Sequence, residues 1–201
     1  KELCNDKKIV SMAISRLGCD LLYANNNFKD NKTIVEIAVK STPFAYRYVS
    51  DRLKDDEELL IQALNGRSGG YMYKFTSERL KMKKNIVLLA IKKEKKIFYC
   101  IPDELFNNRE CMLSIYSISC LMYEYIEWIP EVHKNDKEII MTILNANTSP
   151  AWGKILPHIS DELKDDYDFM LNIIKKNNYY IKHTSERLQE KFKEEDSNKK
   201  K

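Results

Sequence analysis

Three histidines, His133, His158 and His183, recur at 25-residue intervals, and regularly placed imidazoles could in principle share a metal ion. His158 and His183 fall at equivalent places in consecutive repeats, which would set them roughly 8 to 10 Å apart at ordinary helix-packing distance. Zinc ligands lie about 2 Å from the ion, so the expected role is to fill a repeat slot, and no metal or cofactor is expected. The acidic pairs Asp55-Asp56, Glu57-Glu58 and Asp165-Asp166 have the residue types of a general acid and base or of calcium ligands. They recur where a helix begins, and capping explains them without a reaction. Gly66-Arg67-Ser68-Gly69-Gly70 lacks the G-K-[ST] ending of a phosphate loop and reads as a flexible link. Ser, His and Asp all occur, but there is no G-x-S-x-G nucleophile elbow. Enzymatic activity is therefore not expected.

Two features are better suited to binding than to catalysis. Lys92, Lys93, Lys95 and Lys96, interrupted by Glu94, form the densest positive run, read first as a solvated link and second as a contact for an acidic or nucleic-acid partner. Trp152 lies in an insertion beside Pro150, outside the repeating columns; if exposed, it would be the preferred anchor for a partner protein, because a tryptophan seated in a pocket often dominates interface energy. Tyr71, Tyr73, Tyr123, Tyr125, Trp128, Tyr179 and Tyr180 would suit base stacking, yet several fall on core columns.

The elements that must position these groups are repeats. The phrase LKDDEELLIQAL, Leu53 to Leu64, returns along the chain with leading residues Leu3, Phe28, Leu53, Leu80, Leu105, Val132 or His133, Leu163 and Leu188, most steps being 25 residues. Such a period is the mark of an array in which each unit buries its apolar face against its neighbours. Shortly after each leading residue stands a capping residue, Asn5, Asp30, Asp55, Asn107, Asn135 or Asp165, with Glu58, Glu110, Glu138 and Asp168 as acidic partners; Met82-Lys83-Lys84 breaks this pattern. Apolar residues then follow at i, i+1, i+4 and i+5, as in Leu59, Leu60, Ala63 and Leu64, the face of an amphipathic helix. A second pattern, spaced by three, includes Leu21 and Ala24, Tyr46 and Val49, and Tyr73 and Thr76, and reads as a second helix. Insertions at Asn65 to Gly70, Ser117 to Tyr125 and Asn145 to Gly153 place extra residues at one edge.

The whole chain sets outer bounds. Its 201 residues carry 34 Lys and Arg against 30 Asp and Glu, a balance that makes a poor footprint for a dedicated nucleic-acid binder. The cysteines, Cys4, Cys19, Cys100, Cys111 and Cys120, are odd in number and include no C-x-x-C pair, which points to a reducing, intracellular and cytoplasmic setting. No apolar run approaches the roughly 20 residues that span a bilayer, so membrane insertion is not expected. A repeat already under way at Leu3 points to a piece of a longer product.

With its S-E-R-L-K, D-D-x-E and I-V-x-x-A-V-like phrases, the unit resembles the repeat of the domain-of-unknown-function 4116 family. The resemblance spans about Leu3 to Leu188. It implies tandem short helical units and brings no catalytic residues with it. Taken together, the sequence predicts an all-α chain: an α-solenoid of about seven 25-residue helical hairpins plus a partial eighth, forming a single array over 1–188, with a charged tail over 189–201 that frays into solvent. The function expected of it is a non-catalytic protein–protein interaction scaffold with an unknown protein partner, Trp152 and Lys92, Lys93, Lys95 and Lys96 being the candidate contacts. The alternative is a helical-repeat RNA-binding module.

Overall fold

The computed structural model describes residues 6–118, 127–147 and 149–199. Among them the regular structure is helical throughout, with no strand. The fifth-unit insertion around Ser117 to Tyr125 lies largely outside the described residues, as do Leu3, Asn5, Cys4 and Cys120. The chain divides into two compact units, Lys1–Leu105 and Phe106–Lys201.

Among the described residues the repeats are built from three pieces. A helix of eight to ten residues comes first: Lys7–Arg16, Lys32–Ser41, Glu57–Asn65 and Lys84–Lys93 in the first unit; Arg109–Ile118, Lys137–Asn145 and Tyr167–Ile174 in the second. The i, i+1, i+4, i+5 residues are its core. Ile34, Val35, Ala38 and Val39 are buried, as are Leu59, Leu60, Ala63 and Leu64 in the next helix, and Ile139, Ile140, Ile143 and Leu144 in the second unit. Two adjacent apolar columns are needed because in the first unit consecutive long helices are neighbours, so an inner helix faces a neighbour on either side.

The second piece corrects the hairpin expectation. It is a 3-10 helix, at Gly18–Tyr23, Pro43–Tyr48, Gly69–Phe75, Lys95–Cys100 and Asn178–His183, and the apolar spacing of three is its own period of three residues per turn. Its residues enter along extended backbone at Leu17, Thr42 and Glu94. Gly18 is required there, because a Cβ at that position would stand 2.0 Å from the Ala38 carbonyl oxygen. The Gly66 to Gly70 link is likewise packed rather than flexible. Gly69 and Gly70 are buried, and Ser68 takes the left-handed conformation with φ 58°.

The third piece is a single helical turn at the S-x-x-L phrase: Asp51–Lys54, Glu78–Lys81 and Asp161–Lys164, capped by Ser50, Ser77 and Ser160. Leu53, Leu80 and Leu163 plug the core below it. In the sixth repeat His133, 3% exposed, takes this plug position while Val132 stands out in solvent. The last such turn does not end at Leu188. One helix runs Glu186–Lys199, and Phe192 is buried with its ring stacked 5.2 Å from that of Tyr167. The expected fraying from Gln189 is therefore replaced by helix as far as Lys199.

Candidate interaction surface

The acidic pairs divide their work. The second member caps its own long helix: Asp56 accepts from the Leu59 amide at 3.1 Å, Asp166 from Phe169 at 2.8 Å, and Asn31 from Ile34 at 3.2 Å. The caps thus lie one residue beyond Asp30, Asp55, Asn107, Asn135 and Asp165, where the sequence pattern placed them. The first member reaches into the following repeat instead. Asp55 accepts from the Ser77 hydroxyl and from Arg79 Nε at 2.9 Å, while Arg79 also donates to the Asp55 carbonyl at 2.8 Å. Asp30 does the same with Ser50 and Arg52, and Asp165 with Ser185 and Arg187. Beside each clasp the serine amide donates to a carbonyl at the end of the preceding turn, as from Ser77 to Lys54 at 3.3 Å, satisfying an acceptor that a helix end leaves open.

These bonds set the electrostatics. The Ser77 hydroxyl, then Arg79, holds the Asp55 carboxyl below the usual carboxylate range; Ser50 and Arg52 do so for Asp30, and Arg187 and Ser185 for Asp165. In the core, the Tyr46 hydroxyl donates to the Lys54 carbonyl at 2.8 Å and meets Thr76 Oγ1 at 3.1 Å, and Tyr73 repeats the bond to Lys81 at 2.9 Å. Burial pushes the Tyr46 phenol up to about 12. At the fourth repeat, where Lys83 offers no side-chain cap and the helix runs Lys84–Lys93, the Lys83 ammonium pairs with Glu57 of the preceding long helix.

The histidines are not brought together as one class. His133 is a core plug whose Nε2 meets the Phe106 carbonyl at 3.2 Å, whereas His158 and His183 end 3-10 segments. Among the described residues no group of three or more His, Cys, Asp or Glu is placed to hold a metal ion.

Trp152 is not exposed. Its residue is 5% accessible, its indole N–H donates to the Leu144 carbonyl at 2.7 Å, and its ring packs 5.8 Å from that of Tyr180. The insertion folds as the helix Ser149–Ile155 and uses the indole as a core piece, which removes the exposure an anchor requires. The basic run is in the open: Lys92, Lys93 and Lys96 are exposed and Lys95 half-buried. Lys92 and Lys93 close the last turn of their helix, facing the negative end of its dipole.

Sequence reasoning missed a column on the 3-10 segments. The residue just after the buried Leu21, Tyr46, Tyr73 and Phe98 is turned outward in each repeat of the first unit: Leu22, Arg47, Lys74 and Tyr99 are exposed. Arg47 lies over the rings of Tyr48 and Phe75, at 5.2 and 5.3 Å, and Lys74 lies 5.7 Å from the Tyr71 ring. The signal was available as the position following each apolar member of the three-spaced pattern.

A family model described as a domain of unknown function (DUF4116) matches residues 31–81, 56–106 and 152–189, together more than half of the chain. No curated protein and no solved structure matches. Among the described residues no helix is long and apolar enough to cross a membrane.

Proposed function

Because the chain belongs to the DUF4116 family, we propose a function read from its repeats: a non-catalytic protein–protein interaction scaffold, in which a stack of similar modules holds a row of dissimilar side chains toward a partner. The observation that carries this reading is the outward 3-10 column. Its frame is nearly constant, with a buried residue just before each outward position, while the outward residue changes from leucine to arginine to lysine to tyrosine. A frame that repeats while its display varies is the economy of a repeat binder. The acidic pairs, the groups best suited by type to acid–base chemistry, are engaged in capping and clasping.

The test is affinity capture with the whole chain and with a variant in which Leu22, Arg47, Lys74 and Tyr99 are all replaced by serine. A protein recovered by the natural chain and lost with the variant supports the scaffold. Capture of nucleic acid in its place, released steeply as salt is raised, would favour the RNA-binding alternative.

A further inference from the structure

The first unit is more basic than the whole chain. Residues 1–105 hold 20 Lys and Arg against 14 Asp and Glu, and the structure sorts these charges by place. Toward the clasps and helix starts, Lys32, Arg52, Lys54, Arg79, Lys81 and Lys83 are all in ion pairs. At the opposite end of the long helices, where each gives way to its 3-10 segment, stand Arg16, Lys40, Arg67, Lys92, Lys93 and Lys96. All six are exposed, and none forms an ion pair among the described residues.

Neighbouring links pack on one another here. A Cβ on Gly18 would meet the Ala38 carbonyl, one on Gly66 would meet Pro43 Cγ at 2.2 Å, and one on Gly70 would meet the backbone of Glu94 at 2.9 Å. The six cations therefore line adjacent steps of a single edge. Its two carboxylates, Asp20 and Glu94, are half-buried, and that of Glu94 is taken up by the Lys96 amide at 3.1 Å and by the Tyr71 hydroxyl.

We infer that this edge of the first unit docks an extended acidic peptide segment of a partner protein. Charge complementarity names the sign of the occupant. The aromatic rings decide between the two kinds of polyanion: single-stranded nucleic acid needs open ring faces for its bases, but Tyr48 and Phe75 are covered by Arg47, and Tyr71 by Lys74. Exposed rings remain in the first and fourth modules, Tyr23 and Tyr99, but between them the edge is a line of point charges whose neighbouring rings are covered by cations, which suits carboxylates carried on an extended chain.

The inference rests on the scaffold reading, and its test separates the two. The probe is a fluorescein-labelled glutamate-rich peptide of about 12 residues, long enough when extended to pass about four modules. Its binding to the whole chain is read by anisotropy at about 50 mM and about 300 mM NaCl, on either side of strong screening. Binding at low salt is expected, weakened on the order of tenfold by the combined variant Lys40→Glu, Arg67→Glu, Lys92→Glu and Lys93→Glu. The variant Lys175→Glu with Lys176→Glu, at exposed positions of the second unit, should bind as the natural chain does. Circular dichroism establishes that each variant keeps its helix content. An absence of peptide binding, equal binding by the edge variant, or tighter binding of a single-stranded RNA of equal charge would overturn the inference. If the captured partner survives the edge variant but not the column variant, the edge fails while the scaffold stands.

Discussion

The two units are made from the same three pieces but are fastened differently. In the first, the junctions at Asp30 and Asp55 have the full set of aspartate, serine and arginine, and the phenols of Tyr46 and Tyr73 reinforce them from inside. In the second, Asp165 keeps the set, but the junction before it is reduced to Asn135 and Ser160, at 2.8 Å, with Glu162 where an arginine would stand. Leu156 and Ile181 hold the positions of the two tyrosines, and hydrogen bonding there gives way to apolar packing. Between these regions, Met82 and Asn107 occupy the aspartate position while Pro102 and Pro130 occupy that of the serine. Each unit thus contains one junction without a clasp, Met82 with Pro102 in the first and Asn107 with Pro130 in the second, which teaches that the clasp reinforces a junction without being needed to form one.

The most forceful way to break this comparison is to damage one core and watch the other. Leu60→Ala, at a fully buried position, should cost about 2–5 kcal/mol. In calorimetry it should lower the transition belonging to the first unit alone, with Met170→Ala doing the converse. A single transition displaced equally by both would remove the idea of separate fastening. Next in size is Tyr46→Phe, which strips two hydrogen bonds from a buried phenol and should cost about 1–2 kcal/mol by denaturant unfolding. Asn31→Ala removes a helix cap and should cost about 1 kcal/mol in the same measurement.

The clasps themselves are solvent-exposed, and their removal should have the smallest effect. Arg79→Ala should lower the melting temperature slightly, more at low salt than at high salt. Asn135→Asp with Glu162→Arg, which restores the missing set, should raise it. The sign of the pH dependence is fixed by the direction of the shifts. Asp30, Asp55 and Asp165 titrate below their ordinary value of 3.8 when folded, so their contribution is complete above that value. It is lost as pH falls through the lower folded values. Helix content followed by circular dichroism should therefore hold to about pH 4 and decline below it.

Much of this was legible in the sequence, because the long helices advertise themselves by four apolar positions that only a helical face can bring together. The 3-10 segments were misassigned for a definite reason: a spacing of three, as in Tyr46 and Val49, fits one side of an α-helix as well as a turn of 3-10. The clasps were hidden because an Asp-Asp pair supplies two possible caps and the partners of the first lie 20 or more residues away. His133 was ambiguous beside Val132 until its ring was seen to bond the Phe106 carbonyl. Trp152 misled because a residue outside the repeating columns can still be recruited to fill a local gap.

The separation between the two halves of a clasp is not constant. It is 20 residues from Asp30 to Ser50 and from Asp165 to Ser185, 22 from Asp55 to Ser77, and 25 from Asn135 to Ser160. The chain checks where each stretch closes rather than how long it is, so the intervening links can grow or shrink without loss of register. A lineage carrying such a fastener is free to remodel its rim by small insertions while the order of its modules stays readable from end to end.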